Sequence, residues 1–138
     1  MTVDLTGHAP VKLIVADGQA MFRQGLRRML ESETWLEVVG DAGTAAKIIA
    51  LARRHEPELL VLELDLPDRD GTTVIRVLQQ ELPGTAAVVL TSYTERHRLM
   101  GAFKAGAAAY LLKSCLVEEL VTVLRRVSRG VRGIIRPE

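Results

Sequence analysis

Apolar residues recur along this chain in two alternating rhythms: short unbroken runs, and longer stretches with helical spacing. Val11 to Ala16 is the first unbroken run and predicts a strand buried on both faces. Gln19 to Glu31 follows as a helix, with Phe22, Leu26, Met29 and Leu30 on one face. Leu36 to Gly40 predicts a second strand, and Thr44 is a good N-cap for a helix that turns Ala45, Ile48, Ile49 and Ala52 inward. After Pro57, the run from Leu59 to Glu63 predicts a third strand that ends on a carboxylate, and Pro67 to Gly71 predicts a turn. Thr72 to Leu82 predicts a helix with Val74, Ile75 and Leu78 inward, stopped by Pro83-Gly84. Ala86 to Thr91 predicts strand four, Glu95 to Ala105 a helix with Leu99, Met100 and Phe103 apolar, and Ala108 to Leu112 strand five. A last helix, Leu116 to Ser128, carries Leu120, Val123, Leu124 and Val127. It has more apolar positions than one face can hold. Val117, Val121 and Leu124 cannot all meet a sheet together with Leu116, Leu120, Val123 and Val127, so an exposed patch that drives self-association is expected.

Repeated strand–helix units with apolar strands predict an α/β fold, a doubly wound five-stranded parallel sheet covered by helices on both faces. Right-handed crossovers are satisfied by a flavodoxin-like strand order, 2-1-3-4-5. Open sheets of this kind bind ligands beyond the carboxyl ends of their strands, at the point where strand order reverses. Asp17, Glu63, Thr91 and Lys113 all fall at that edge. Residues 1–10 lack periodicity and are expected to be a flexible leader, residues 11–128 the domain, and residues 129–138 the start of a linker.

Composition narrows the function classes. A chain of 138 residues, 48% hydrophobic and 25% charged with net charge +1, has the balance of one globular domain and no bulk charge for a polyanion. Cys115 is the only cysteine and cannot form an internal disulfide, which fits a reducing cytoplasm. No apolar run approaches a membrane span. His8, His55 and His97 are too scattered for a metal or catalytic site, and Gly40 and Gly43 make no dinucleotide fingerprint. Cys115 stands near a helix start, a position that could lower its pKa, against the plainer reading of an inert thiol.

Particular stretches narrow them further. Val15-Ala16-Asp17, Phe22-Arg23-Gln24-Gly25-Leu26, Leu36-Glu37-Val38-Val39-Gly40, Leu66-Pro67-Asp68-Arg69-Asp70-Gly71, Leu90-Thr91-Ser92 and Gly106 to Lys113 occur in that order. From Val11 to about Arg129 the chain resembles the receiver domain of bacterial two-component response regulators, in particular the subclass joined to a LuxR-type helix-turn-helix output domain. By that resemblance Asp17 is an acidic-pocket residue, Thr91 the switch hydroxyl, Tyr110 the switch aromatic, Lys113 the pocket lysine, and Glu63 stands at the phosphoacceptor place. The stretch from Arg129 to Glu138 resembles the start of a linker to such a DNA-binding domain, which is absent from this chain. DNA would be reached only through that domain.

Two positions depart from the family pattern. The acceptor is usually an aspartate and here is Glu63; the second acid beside Asp17 is here Gly18. Family chemistry holds a divalent cation between the second acid, the acceptor carboxylate and a backbone carbonyl, and Mg²⁺ tolerates little departure from octahedral oxygen geometry. The extra methylene of Glu63 moves the attacking oxygen by about 1.5 Å, and misplacement on that scale can cost about 10²-fold in phosphoryl transfer. No catalytic residue, no metal site and no cofactor are therefore expected, and Mg²⁺ binding is doubtful. Asp17 and Glu63 against Lys113 form a nearly balanced charge set without metal, in which Glu63 could bond Lys113 directly or imitate weakly a phosphorylated aspartate.

The reading that follows is a degenerate receiver without enzymatic turnover, independent of phosphorylation, that regulates dimerisation and output through protein contacts. The homodimer would use the face of the fourth helix, fifth strand and fifth helix, or the first and fifth helices. The alternative is a working acceptor that takes phosphoryl groups from a histidine kinase and binds Mg²⁺ weakly. Plainer roles stand beside these. Glu63 could be an inert remnant paired with Lys113, Asp17 a partner of a helix N-terminus, Thr91 structural, and Tyr110 a half-buried ring with its hydroxyl in water. Asp65 is the rival acceptor, and Asp68 and Asp70 read as turn residues.

Overall fold

Apolar runs that carry no polar face have to be covered on both sides, and the sheet is built on that requirement. The computed structural model describes residues 7–136. Its elements in order are β1 (Val11–Ala16), α1 (Ala20–Glu31), β2 (Leu36–Ala42), α2 (Ala45–His55), β3 (Leu59–Leu62), α3 (Gly71–Glu81), β4 (Ala86–Thr91), α4 (Arg96–Ala105), β5 (Ala109–Leu112), α5 (Val117–Ser128) and β6 (Ile134–Arg136). All strands pair in parallel, in the order β2-β1-β3-β4-β5-β6. The expected five-strand order is present, and a sixth strand extends it. The expected leader falls largely outside the described residues, as do residues 137–138 of the expected linker.

Side-chain alternation along the strands sorts the core into two layers. Leu13, Val15, Val61, Val88, Leu90 and Leu111 meet Leu26 and Leu30 of α1 and Leu120, Val123, Leu124 and Val127 of α5. Ile14, Ala16, Leu60, Leu62, Val89 and Tyr110 meet Ile48 and Ala52 of α2, Val74, Ile75 and Leu78 of α3, and Ala102 and Ala105 of α4. Of the apolar residues that the pattern could not all turn to the sheet, Leu124 is fully buried, and Val117 and Val121 are partly buried. Leu116 instead lies outside, 63% exposed, because the helix begins one residue later than the pattern suggested. Met29, which the pattern places on one helical face with Phe22, Leu26 and Leu30, and Met100 of α4 are also about half exposed.

The sixth strand corrects the reading of residues 129–138 as linker alone. Gly130 and Gly133 have φ of +99° and +77°, a backbone region that favours glycine, and they let the chain turn back after α5. The Gly133 and Ile134 amides then donate to the Ala108 carbonyl, and Ile134 is buried against the sheet edge. Burying an isoleucine side chain contributes about 1.5–3 kcal/mol, enough to hold a three-residue strand whose other edge is open. Because α5 lies on the opposite face from α3 and α4, the β5–α5–β6 connection has the opposite hand to the two crossovers before it.

Candidate functional site

Strands β1 and β3 end level with one another, β4 and β5 run two residues further, and each of the four delivers one polar side chain to the same edge. Asp17 and Glu63 directly follow β1 and β3, with their amides donating to the Ala42 and Ala16 carbonyls at 3.0 and 2.9 Å. Thr91 closes β4, and the Lys113 amide donates to its carbonyl at 2.8 Å. The four residues expected at this edge are therefore brought together. Asp17 is 3% exposed, Glu63 6%, and Thr91 is fully buried.

The Lys113 ammonium organises the group. It donates to Asp17 Oδ2 at 2.8 Å, to Glu63 Oε1 at 3.0 Å and to Gln19 Oε1 at 3.1 Å, which uses its three protons. It also lies 4.4 Å from the centre of the Phe22 ring. Burial pulls the lysine pKa down, but the hydrogen bonds and charges of Asp17 and Glu63 outweigh it and hold the group above its ordinary value. The remaining carboxylate oxygens are occupied by backbone. Asp17 Oδ1 accepts from the Gln19 amide at 2.8 Å, and Glu63 Oε2 accepts from the Asp65 amide at 3.1 Å. Asp17 thus faces both the lysine and the start of α1. Among the described residues, no buried side-chain nitrogen or oxygen lacks a hydrogen-bond partner.

The turn after Glu63 is shaped by Gly71. A Cβ there would stand 2.7 Å from Leu64 Cα and 2.9 Å from the Glu63 carbonyl oxygen, so only glycine lets α3 begin against this loop. Asp70 caps α3 by accepting from the Thr72 amide, in keeping with a turn residue. Asp68 does more than shape the turn. Its carboxylate accepts from the Ala45 and Ala46 amides at 2.8 and 3.1 Å and so caps α2 from across the sequence. Those hydrogen bonds, with Ala45 foremost, hold Asp68 below the usual carboxylate range. Gly18 follows Asp17 at this edge, and a Cβ there would come 3.2 Å from Pro67 Cδ and 3.5 Å from the Gly43 carbonyl oxygen.

Several contributors carried no signal of their own in the sequence. Gln19 is one. Arg23 is another: it donates to the Asp17 carbonyl at 2.6 Å and pairs with Asp41 at 2.8 Å, while Arg27 pairs with the other Asp41 oxygen at 2.6 Å. Desolvation pushes the Asp41 pKa up, but the hydrogen bonds from Arg27 and Arg23 prevail and hold it below its ordinary value. A carboxylate depressed by folding stabilises the protein above its unfolded pKa, and that contribution is lost as pH falls through the folded value. Urea unfolding at neutral pH and at about pH 3 is expected to show a smaller acid loss of stability for Asp41→Asn than for the parent chain.

Tyr110 departs from its plainer expectation. The ring is buried in the second core layer, 1% exposed, and its hydroxyl donates to the Tyr93 carbonyl at 2.8 Å rather than to water. Burial, foremost, raises its pKa. Asp65, the rival acceptor, sits in the loop beyond Glu63 and accepts from the Tyr93 hydroxyl at 2.9 Å. Burial, and after it the Glu119 charge, pushes the Cys115 thiol up rather than down.

Comparison with known proteins matches this arrangement. The response regulator receiver domain model covers residues 13–125. The transcriptional regulatory protein YhcZ of Bacillus subtilis is 36% identical over 120 residues, 87% of this chain and 56% of that protein. The response regulator protein VraR of Staphylococcus aureus is 29% identical over 128 residues, 93% of this chain and 61% of that protein. The chain spans little more than half the length of these curated relatives. Among solved structures, the signal receiver domain of NarL from Mycobacterium tuberculosis superposes with a TM-score of 0.84 at 29% identity, covering 88% of this chain and 98% of that one. A LuxR-family two-component response regulator from Aurantimonas sp. SI85-9A1 gives 0.87 at 27% identity, covering 94% and 91%. The matched span runs from β1 into α5 and includes Asp17, Glu63, Thr91, Tyr110 and Lys113, and the chain belongs to the response regulator receiver domain family.

Proposed function

We propose that this chain is an atypical receiver that works without phosphorylation, regulating dimerisation and output of a LuxR-type transcription regulator through protein contacts. One observation carries the reading: both oxygens of Asp17 and both of Glu63 are already committed, to Lys113 and to backbone amides. In an ordinary receiver pocket those oxygens receive the cation and attack the phosphoryl donor. The residues present do not fit the Mg²⁺ that the family implies. Gly18 offers no carboxylate in place of the second acid, and among the described residues no group of three or more His, Cys, Asp or Glu is placed to hold a metal ion. Glu63 then acts as a fixed internal charge on Lys113, standing in part for a phosphorylated aspartate.

For the homodimer, the side chains favour α1 and α5 over the α4–β5–α5 face. A groove of about 330 Å³ runs between α1 and α5, lined by Phe22, Leu26, Met29, Cys115, Leu116 and Leu120, and its rim carries the exposed Met29 and Leu116. Contact with DNA would belong to an output domain and not to the residues described. The test is incubation of the unaltered chain with acetyl phosphate and millimolar Mg²⁺, followed by intact-mass spectrometry. No phosphoryl adduct is expected. Stoichiometric phosphorylation on Glu63 or Asp65 would establish the opposite reading, a working acceptor supplied by a histidine kinase.

A further inference from the structure

Tyr93 holds more tethers than any other residue on the segment between β4 and α4. Its hydroxyl donates to Asp65 Oδ2 at 2.9 Å. The Arg98 guanidinium lies 3.8 Å from its ring centre. Its carbonyl accepts from Tyr110 at 2.8 Å, and its amide faces Thr91 Oγ1 at 3.4 Å. Asp65 in turn gives its amide to Glu63 Oε2, and Glu63 holds Lys113. The hydrogen bonds therefore run unbroken from Lys113 through Glu63, Asp65 and Tyr93 to Tyr110, from the pocket to the buried ring of the second core layer.

We propose that Tyr93 is a latch: by bonding Asp65 it ties the β4–α4 segment to the loop after Glu63 and keeps Tyr110 turned inward with no phosphoryl group present. The proposal rests on the phosphorylation-independent reading above and says what fixes the signalling surface in that state. Without the latch, a segment joined to the rest by few buried apolar contacts would sample open positions, since Ser92, Thr94 and Glu95 are all exposed. With it, an aromatic ring is clamped between a carboxylate on one loop and a guanidinium on the next helix. The Asp65 hydrogen bond, foremost, raises the Tyr93 pKa, so the phenol keeps its proton and remains a donor through the physiological range. Only Tyr93 and Tyr110 are tyrosines in this chain, which makes the state of Tyr110 directly readable.

The test uses the whole chain without any phosphodonor, so that its result is independent of whether the pocket can be phosphorylated. Tyr93→Phe keeps the ring under Arg98 and deletes only the donor; Asp65→Ala deletes the acceptor; the double variant deletes both. Amide exchange of residues 92–96 is expected to quicken about tenfold in each single variant, the scale of one lost hydrogen bond, and no further in the double. In fluorotyrosine-labelled protein, the Tyr110 resonance, alone in Tyr93→Phe, is expected to shift toward its solvent-exposed position. Unchanged exchange in folded Tyr93→Phe, additive effects of the two changes, or an unmoved Tyr110 resonance would overturn the latch. A phosphoryl adduct in the acetyl phosphate experiment would instead overturn the reading it rests on.

Discussion

Lys113→Met is expected to destabilise the protein by about 3 kcal/mol at neutral pH, the lower end of the 3–5 kcal/mol range for breaking a buried ion pair. The Asp17 and Glu63 side chains are 4% and 7% exposed and would be left facing each other with no cation between them. The lower end applies because the lysine side chain itself retains 12% exposure, which lets water soften the loss. The pH dependence has a definite sign. In the parent chain the Lys113 pKa is raised by folding, so its stabilisation is complete below the unfolded lysine value of about 10.5 and fades as pH climbs through the folded one. In Lys113→Met that stabilisation is gone and the two buried carboxylates face each other without a cation, which is the source of the deficit at neutral pH. Adding Glu63→Gln to Lys113→Met should recover part of it at neutral pH. Urea unfolding at neutral and alkaline pH checks all three, and a deficit under about 1 kcal/mol would mark the pair as solvated.

The second large effect concerns phosphorylation. On the proposed reading, in which Glu63 stands at the acceptor place, Glu63→Asp alone supplies an aspartate there but draws the carboxylate back by about 1.5 Å and leaves no acid at Gly18. It is expected to stay unmodified by acetyl phosphate. Glu63→Asp with Gly18→Asp supplies both carboxylates and is expected to be phosphorylated at least about 10²-fold faster than the parent, in a Mg²⁺-dependent way. The geometry limits the yield. A Cβ on Gly18 would come 3.2 Å from Pro67 Cδ, so the proline must give by a few tenths of an ångström before the new acid can settle. Mass spectrometry of the adduct, with and without Mg²⁺, measures the rate. A double variant as inert as the parent would place the block outside these two positions.

The alternation of unbroken apolar runs with helical spacings determined the fold class, because a parallel strand buried on both faces has no polar side to show, and the right-handed crossover rule admitted the order of the first five strands. The place of the pocket followed from the same pattern. Strand ends are marked by the first polar residue after an apolar run, and Asp17, Glu63 and Lys113 each hold that position. The pairing of Glu63 with Lys113 was legible as charge count alone.

Other features depend on residues distant in sequence, and local pattern does not encode them. Asp68 looked like a turn residue because its partners, the Ala45 and Ala46 amides, belong to a helix more than twenty residues earlier. Gln19, Arg23 and Asp41 stand near the pocket only because β1, β2 and α1 converge there. The amphipathic character of Tyr110 predicts a half-buried ring with its hydroxyl in water, but the Tyr93 carbonyl that accepts its hydrogen bond decides its inward turn. Apolar content alone gives the last helix a surplus, whereas its start at Val117 rather than Leu116 decides that Leu116 faces out. The sixth strand was hidden for two reasons: its apolar run is only two residues long, and its connection has the hand that parallel sheets nearly always avoid. Local sequence determines which segments are strand or helix; the partners of buried polar groups are settled only when the chain closes on itself and each one must find a hydrogen bond.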